Sequence, residues 1–131
     1  MTSHEPTAQL AIDDLVARYC DAVARADADT FRSCWADDAS WTGPGLDKTG
    51  RADIVRAWAK IRARFTVALQ GVVSGTVEVD GTVATGTWWI REILVPVEGP
   101  PRETVGRYDD TYAYRSDGGW RITRRAFTPA G

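Results

Sequence analysis

The sequence has 131 residues, a formal net charge of −2 and 26% charged residues, values that fit one soluble domain with a full core. This balance argues against a nucleic-acid partner, which would require a basic face, and no apolar run approaches the about 20 residues of a membrane span. The single histidine, His4, lies near the N-terminus, so the expected domain has no histidine for a catalytic triad or a metal site. Acid–base chemistry would therefore use carboxylates, phenols, thiols or positioned water.

The N-terminal segment MTSHEPTAQ lacks a basic region followed by an apolar stretch, so it does not read as a secretory signal. We expect residues 1–9 to form a short flexible tail before a single domain at 10–127. Cys20 and Cys34 fall in helical patterns without a partner motif, which favours reduced thiols and a cytoplasmic location.

Apolar residues at helical spacing predict three helices in the first half of the chain. The first covers about residues 10–26, and Tyr19 is the only member of its buried stripe with a polar tip. Asp27 can cap a second, short helix that contains Trp35. A short strand near residues 39–43, carrying Trp41, precedes a loop, and a third helix at about 51–65 carries Trp58 on its apolar face.

The second half predicts a meander of four antiparallel strands. The first, at about 69–79, ends at a two-residue hairpin signal, and the second covers about 83–95. A proline-stiffened loop at 96–102 leads to the last hairpin. Glycines within the strands, at positions 71, 75 and 86, suggest the bulges or bends of a curved sheet. Together these elements predict an α+β domain in which a bent sheet wraps around the helices.

The last hairpin, Gly106 to Arg125, places polar groups among aromatic rings. One face of its first strand carries Tyr108, Asp110, Tyr112 and Tyr114, and one face of its second strand carries Trp120, Ile122 and Arg124. Burying a carboxylate there is costly unless it has a partner or a function. Asp110 is therefore either a pocket acid or base, or a salt-bridge partner of Arg124 or Arg91 that holds the strands together.

Three segments of the chain resemble the SnoaL-like branch of the NTF2-like superfamily: IDDLVARYCDAVARADADTFRSCWADDASWTGPG, TGRADIVRAW and GRYDDTYAYRSDGGWRITRR. That superfamily includes ketosteroid isomerase, scytalone dehydratase, polyketide cyclases and limonene epoxide hydrolase. The resemblance extends over about residues 8–127. It implies an NTF2-like cone, with three N-terminal helices packed in a strongly curved antiparallel sheet, a pocket between them, and a homodimer formed through the outer sheet face. Because one cone hosts many chemistries, the fold leaves the reaction open.

The resemblance also implies roles for individual residues. Tyr19 and Asp110 fall where ketosteroid isomerase has its oxyanion-hole tyrosine and protonated aspartic acid, whereas the base of that isomerase falls on Gly43. The two pocket histidines of scytalone dehydratase fall near Gln70 and Thr87. An Asp-Arg-Asp set like that of limonene epoxide hydrolase would combine Asp110 with Arg91 or Arg124 and with Asp109 or Glu92.

Neighbouring residues of the long strand must face opposite sides of the sheet. By loose alignment with the family we expect Trp88 and Glu92 to face the pocket, although a one-residue slip would exchange them for Trp89 and Arg91. The outward indole is expected to mark a partner surface.

We therefore expect a cofactor-free enzyme that performs dehydration, cyclisation or isomerisation on a small apolar cyclic or polyketide-like molecule. Asp110 and Tyr19 are the expected catalytic groups. Two alternatives stay open: hydrolysis of an epoxide or ester by an activated water, and a non-catalytic binding or assembly module. The residues expected to contact the substrate are Trp41, Trp58, Gln70, Trp88, Glu92, Tyr108, Tyr112 and Arg124.

Overall fold

The structure, a computed structural model, describes residues 4–130. Its helices are α1 (His4–Arg25), α2 (Ala28–Ser33) and α3 (Arg51–Arg62). Its strands are β1 (Trp35–Gly43), β2 (Leu46–Thr49), β3 (Phe65–Asp80), β4 (Val83–Pro96), β5 (Arg102–Arg115) and β6 (Gly119–Pro129). They form one six-stranded sheet in the order β2-β1-β6-β5-β4-β3, and the predicted α+β class is confirmed. Within the described range, no helix has the length and apolar character needed to cross a bilayer.

The sequence had suggested an antiparallel sheet, but one pair of neighbouring strands is parallel. β1 runs parallel to β6, with Trp41 opposite Arg125, whereas the other neighbours pair antiparallel. The parallel contact arises because α3 carries the chain from β2 at one edge to β3 at the other, and the meander then returns until β6 lies beside β1. β2 occupies part of the segment that was expected to be a loop.

Helix α1 begins earlier than predicted. Residues 4–9 are helical rather than part of a flexible tail, and residues 1–3 lie outside the described residues. Pro6 fits the first turn of a helix, where its missing N–H would have no partner within the helix. Ala8 is buried in the core and anchors this turn against the sheet.

An aromatic cluster fills the space between the helices and β1. Phe31 of α2 stacks on Trp58 of α3, with 4.1 Å between ring centroids and 10° between ring planes. Trp35 and Trp41 of β1 approach the same phenyl ring at 5.9 and 6.2 Å. Trp35 had been predicted inside the second helix, but α2 ends at Ser33 and the indole enters the core as the first residue of β1. The cluster therefore fixes α2 and α3 on the sheet.

Two of the strand glycines make room for a side chain instead of bending the sheet. A Cβ at Gly75 would lie 2.2 Å from Cε3 of Trp88, and one at Gly86 would lie 2.9 Å from its Nε1. The two irregularities of β3 fall elsewhere, between Phe65 and Val67 and between Val72 and Ser74. These glycines therefore allow the indole of Trp88 to lie flat against the inner face of the sheet.

Strand β6 departs from regular alternation at one point. Tyr112 of β5 pairs with Ile122, but the next partner of β5, Thr111, pairs with Arg124, so Thr123 is an extra residue of a β-bulge. Alternation from Trp120 and Ile122 would have turned Arg124 inward, which was the prediction. The bulge instead leaves Arg124 exposed and buries Arg125 completely.

Candidate functional site

A cavity of about 500 Å³ lies between the inner face of the sheet and helices α1 and α3. This volume is in the range of small-molecule pockets, which are typically apolar with a few placed polar groups. The apolar walls include Trp41, Trp58, Phe65, Leu94 and Phe127. The polar lining groups are Tyr19, Gln70, Glu92 and Tyr108, together with the arginines Arg62, Arg64 and Arg102.

Glu92 is the one carboxylate among the described residues that line this cavity, and hydrogen bonds hold both of its oxygens. Gln70 Nε2 donates to Oε2 at 2.8 Å, and Thr104 Oγ1 donates to Oε1 at 3.2 Å. These contacts follow from the sheet register, because Gln70 and Thr104 are the cross-strand partners of Glu92 on β3 and β5. The carboxylate is thus fixed in direction while its residue stays only partly buried.

Gln70 also connects Glu92 to a phenol. Its Nε2 donates a second hydrogen bond, of 3.0 Å, to the hydroxyl oxygen of Tyr108. The amide oxygen, Oε1, is buried and accepts no hydrogen bond from the described residues. Gln70 thus links the carboxylate of Glu92 to the hydroxyl of Tyr108 through its amide nitrogen.

Tyr108 and Tyr19 line the cavity side by side, with their rings edge to face and their centroids 6.1 Å apart. Burial raises the pKa of Tyr108 to about 12, although nearby Arg125 opposes the rise. Burial also raises the pKa of Tyr19 well above its usual value. Both hydroxyls are therefore protonated at neutral pH and can donate hydrogen bonds to an oxygen in the cavity.

A buried ion pair lies directly against these two rings. Arg125 donates from Nε and Nη2 to the two oxygens of Asp110 at 2.8 and 2.7 Å, and both side chains are 0% exposed. The guanidinium carbon is 3.8 Å from the centroid of Tyr108 and 4.3 Å from that of Tyr19. Burial alone would lower the pKa of Arg125, but the facing Asp110 carboxylate raises this pKa well above its usual value. The Arg125 guanidinium therefore stays charged, and it makes a cation–π contact with each of the two tyrosine rings.

Two further side chains complete the network around Asp110. The hydroxyl of Tyr112 donates to Oδ2 of Asp110 at 2.5 Å and accepts from Nε1 of Trp88 at 2.7 Å. Arg125 and Tyr112 are bonded to the carboxylate, and the Asp110 side chain has no exposed surface, so it is not accessible from the cavity. Asp110, Trp88, Tyr112 and Arg125 thus form a layer behind the cavity wall and are absent from its lining.

The residues predicted for the site separate into three groups. Those that line the cavity are Tyr19, Trp41, Trp58, Gln70, Glu92 and Tyr108; those behind the wall are Trp88, Asp110 and Tyr112; and Arg124 is exposed outside it. The salt-bridge alternative for Asp110 is the one observed, but the partner is Arg125, which sequence reasoning missed. Its only signal was the Arg124-Arg125 pair itself, since one of two adjacent strand residues must face inward.

Orientations along β4 agree with the expectation. Trp88 and Glu92 face inward, whereas Trp89 is 39% exposed on the outer face beneath the guanidinium of Arg107. Arg91 also faces outward, where it pairs with Glu103. Asp109 pairs with Arg107 on that same face. An Asp-Arg-Asp set of the epoxide hydrolase type is therefore not assembled around the cavity.

The remaining positions singled out by sequence are simple to place. Gly43 lines the cavity, and a Cβ there would meet its nearest neighbour, Cβ of Phe127, at an ordinary 3.5 Å. Across residues 4–130, no three histidine, cysteine, aspartate or glutamate side chains come together as a set that could hold a metal ion. Cys34 is buried and Cys20 partly buried, and burial raises the pKa of both thiols.

Comparisons with known proteins agree with this architecture. A family model described as the SnoaL-like domain matches residues 5–126, while no curated protein matches the chain. An NTF2-like superfamily protein from Salmonella enterica is 18% identical over 96% of this chain and 93% of its own, with a TM-score of 0.90. A provisionally named scytalone dehydratase from Novosphingobium aromaticivorans is 20% identical over 100% and 89%, with a TM-score of 0.91. A hexachlorocyclohexane dehydrochlorinase, LinA type 2, is 22% identical over 95% and 90%, with a TM-score of 0.82. At these identities the similarity shows the fold.

Proposed function

The chain belongs to the SnoaL-like domain family, and on that premise we propose that it is an enzyme that performs acid–base catalysis on a small apolar cyclic molecule. The observation that carries the proposal is the array of Glu92, Gln70 and Tyr108 on one wall of an otherwise apolar cavity. A carboxylate beside protonated phenols supplies both a proton acceptor and hydrogen-bond donors.

Glu92 is the proposed general base. It removes a proton from the carbon next to a carbonyl group, and the electron pair of the broken C–H bond forms the double bond of an enolate. Tyr108 and Tyr19 donate hydrogen bonds to the oxygen on which the negative charge develops. The Glu92 carboxylic acid then returns its proton, either to another carbon in an isomerisation or to a departing hydroxide in a dehydration, which leaves as water.

Elimination is the reaction type that the relatives favour. The names of two structural neighbours, a dehydratase and a dehydrochlorinase, denote removal of water and of hydrogen chloride. The cavity side chains supply every proton transfer in this scheme.

Asp110 takes a different role in this proposal from the one expected of it. Its oxygens are bonded to Arg125 and Tyr112, so it acts as a positioning residue. Through Arg125 it fixes the ring planes of Tyr19 and Tyr108, and hence the direction of their hydroxyls.

The proposed proton abstraction can be tested without knowledge of the natural substrate. 1-Tetralone, a bicyclic apolar ketone, exchanges its C2 hydrogens for deuterium in D2O, and NMR follows this exchange. We expect the wild-type protein to accelerate exchange over buffer and Glu92→Gln to lose about 100-fold of that acceleration, the lower end of a general base's contribution. Glu78→Gln, a carboxylate change at an exposed position of β3, should leave the rate unchanged.

Acceleration that survives in Glu92→Gln would contradict the assignment of the base. Binding of the ketone by the wild-type protein without any acceleration would favour a non-catalytic binding module over an enzyme. Loss of acceleration in Tyr108→Phe, by contrast, would support the hydrogen-bonding role of the phenol.

A further inference from the structure

Arginines gather at one end of the cavity. Arg62 ends α3, Arg64 lies in the turn before β3, and Arg102 begins β5; all three contribute to the lining. Arg62 is 9% exposed and donates to the main-chain carbonyls of Val23, Ala24 and Phe65, so its hydrogen-bonding capacity is used within the fold.

Arg64 and Arg102 differ from Arg62 in having no such partners. Both are exposed, and within residues 4–130 neither forms an ion pair. The Arg102 guanidinium lies over the ring of Phe65, 5.8 Å from its centroid, and this contact holds it in place. We call the exposed end of the cavity that carries Arg64 and Arg102 its opening. The opening therefore carries positive charge that no described carboxylate neutralises.

The opposite charge lies deeper in the cavity. Arg102 is the cross-strand partner of Leu94, whereas Glu92 lies two positions before Leu94 on β4. Two residues of a strand span about 7 Å, roughly the width of one ring. An anionic group would be repelled by Glu92 and attracted by the two arginines. A molecule with one anionic group therefore binds with that group at the opening and its remainder toward Glu92.

We propose that the substrate of this cavity is an apolar cyclic molecule that carries a carboxylate, bound by Arg64 and Arg102 at the opening. This inference rests on the proposed function, because it names the substrate class of the same site. The paired donors of a guanidinium match a carboxylate's two oxygens. The ring then fills the space beside Trp41 and Trp58, and the reacting carbon reaches Glu92 about one ring away from the carboxylate.

Binding of two matched probes tests the proposal. 2-Naphthoate and 2-naphthamide have nearly the same shape and differ in charge, and either should quench the fluorescence of the tryptophans that line the cavity. We expect naphthoate to bind roughly tenfold more tightly at low ionic strength, about threefold for each arginine. The preference should shrink as salt is added, and the double variant Arg64→Gln/Arg102→Gln should bind both probes equally.

Arg56→Gln is the matched control, because Arg56 lies on α3, pairs with Asp53 and is not part of the cavity lining. It should retain the full preference for naphthoate. Equal affinities in the wild-type protein, a preference that survives the loss of both arginines, or no binding of either probe would each overturn the proposal. Because binding involves no turnover, these outcomes are independent of the tetralone experiment on Glu92.

Discussion

At the scale of single residues, the buried ion pair of Asp110 and Arg125 holds three neighbouring tyrosine side chains in place. Removing two charges from water is expensive, and only good geometry and further hydrogen bonds offset that cost. Here the carboxylate has three hydrogen bonds and the guanidinium has two tyrosine rings. The guanidinium of this ion pair contacts the rings of Tyr19 and Tyr108, and both of these tyrosines also line the cavity. The pair therefore bears on the site by positioning the two rings.

Breaking this pair at one side should therefore be severe. Asp110→Asn leaves a buried guanidinium without its counter-charge, and we expect the free energy of unfolding to fall by about 3–5 kcal/mol. Urea denaturation measures the loss, and the double variant Asp110→Leu/Arg125→Met should recover much of it because neither charge remains. If the free energy of unfolding of Asp110→Asn falls by less than about 1 kcal/mol, the two charges do not form the buried ion pair described above.

The buried tyrosines predict how stability responds to alkaline pH. The pKa of Tyr108 is about 12 in the folded protein against a usual 10.0, so the unfolded chain releases this proton first as the pH rises. The stabilisation is complete below pH 10 and is lost between about pH 10 and 12. Chemical denaturation over this range should show a falling free energy of unfolding, and Tyr108→Phe should show a shallower fall. An equal slope in both proteins would contradict the prediction.

At the scale of elements, the inner face of the sheet is organised by the indole of Trp88. Its Nε1 is bonded to Tyr112, which ties the ring to the network around Asp110. Gly75 and Gly86, on the strand beside it and on its own strand, leave the space that the ring fills. Sheet geometry and the buried ion pair are thus connected through a single side chain.

This packing predicts different outcomes for two glycines of the same strand. Gly75→Ala would bring a methyl group within 2.2 Å of the Trp88 ring, and we expect the overpacking to cost about 1–3 kcal/mol. Gly71→Ala adds a methyl group to open space and should change stability little or raise it slightly. Thermal and urea unfolding of the two variants compare them directly, and equal losses would show that the ring can move away.

Which elements could be predicted depended on how regular their patterns were. The β3–β4 hairpin and the final hairpin were predicted because alternation and turn residues extend over many positions. Strand β2 was missed because its four residues are too short to show a period. Arg125 was missed because a single extra residue, Thr123, reverses the alternation after it, and no local pattern marks such an insertion.

At the scale of the whole molecule, the outer sheet face exposes apolar side chains that a single chain leaves uncovered. Val67, Leu69, Trp89 and Val105 are each between 38% and 46% exposed on β3, β4 and β5. Their cross-strand pairings place them on the face opposite Glu92 and Gln70. We propose that this face joins two copies of the chain as a homodimer, as the family resemblance implies.

A charge in the centre of this face should separate the two copies. Trp89→Glu is expected to convert a dimer into a monomer, because it replaces an apolar contact with a carboxylate that loses its water on association. Size-exclusion chromatography with light scattering measures the mass in solution. Val97→Glu, at an exposed apolar position in the loop before β5, is the control and should remain dimeric. A wild-type monomer at high concentration would contradict the proposal.

The cavity as a whole was more predictable than its chemistry. Family resemblance placed Tyr19 at the pocket and turned Glu92 inward, while strand alternation placed Tyr108 on the same face as Asp110. The structure brings Tyr19, Tyr108 and Glu92 together at the cavity. The resemblance could not show that Asp110 is inaccessible from the cavity. That result depends on the ion pair with Arg125, which faces inward only because Thr123 is an extra residue in β6. The difference moves the proposed base from the last hairpin to β4.

The insertion at Thr123 also bears on how this chain should be aligned with its relatives. A gap-free alignment of β6 to a strand without the bulge would match Arg124 to an inward position and Arg125 to an outward one, so the buried cation would look like an ordinary solvent-facing arginine. Deleting Thr123 would restore strict alternation while keeping Arg125 and Phe127 inward. Related chains one residue shorter at this point can therefore conserve the same buried pair under a different column.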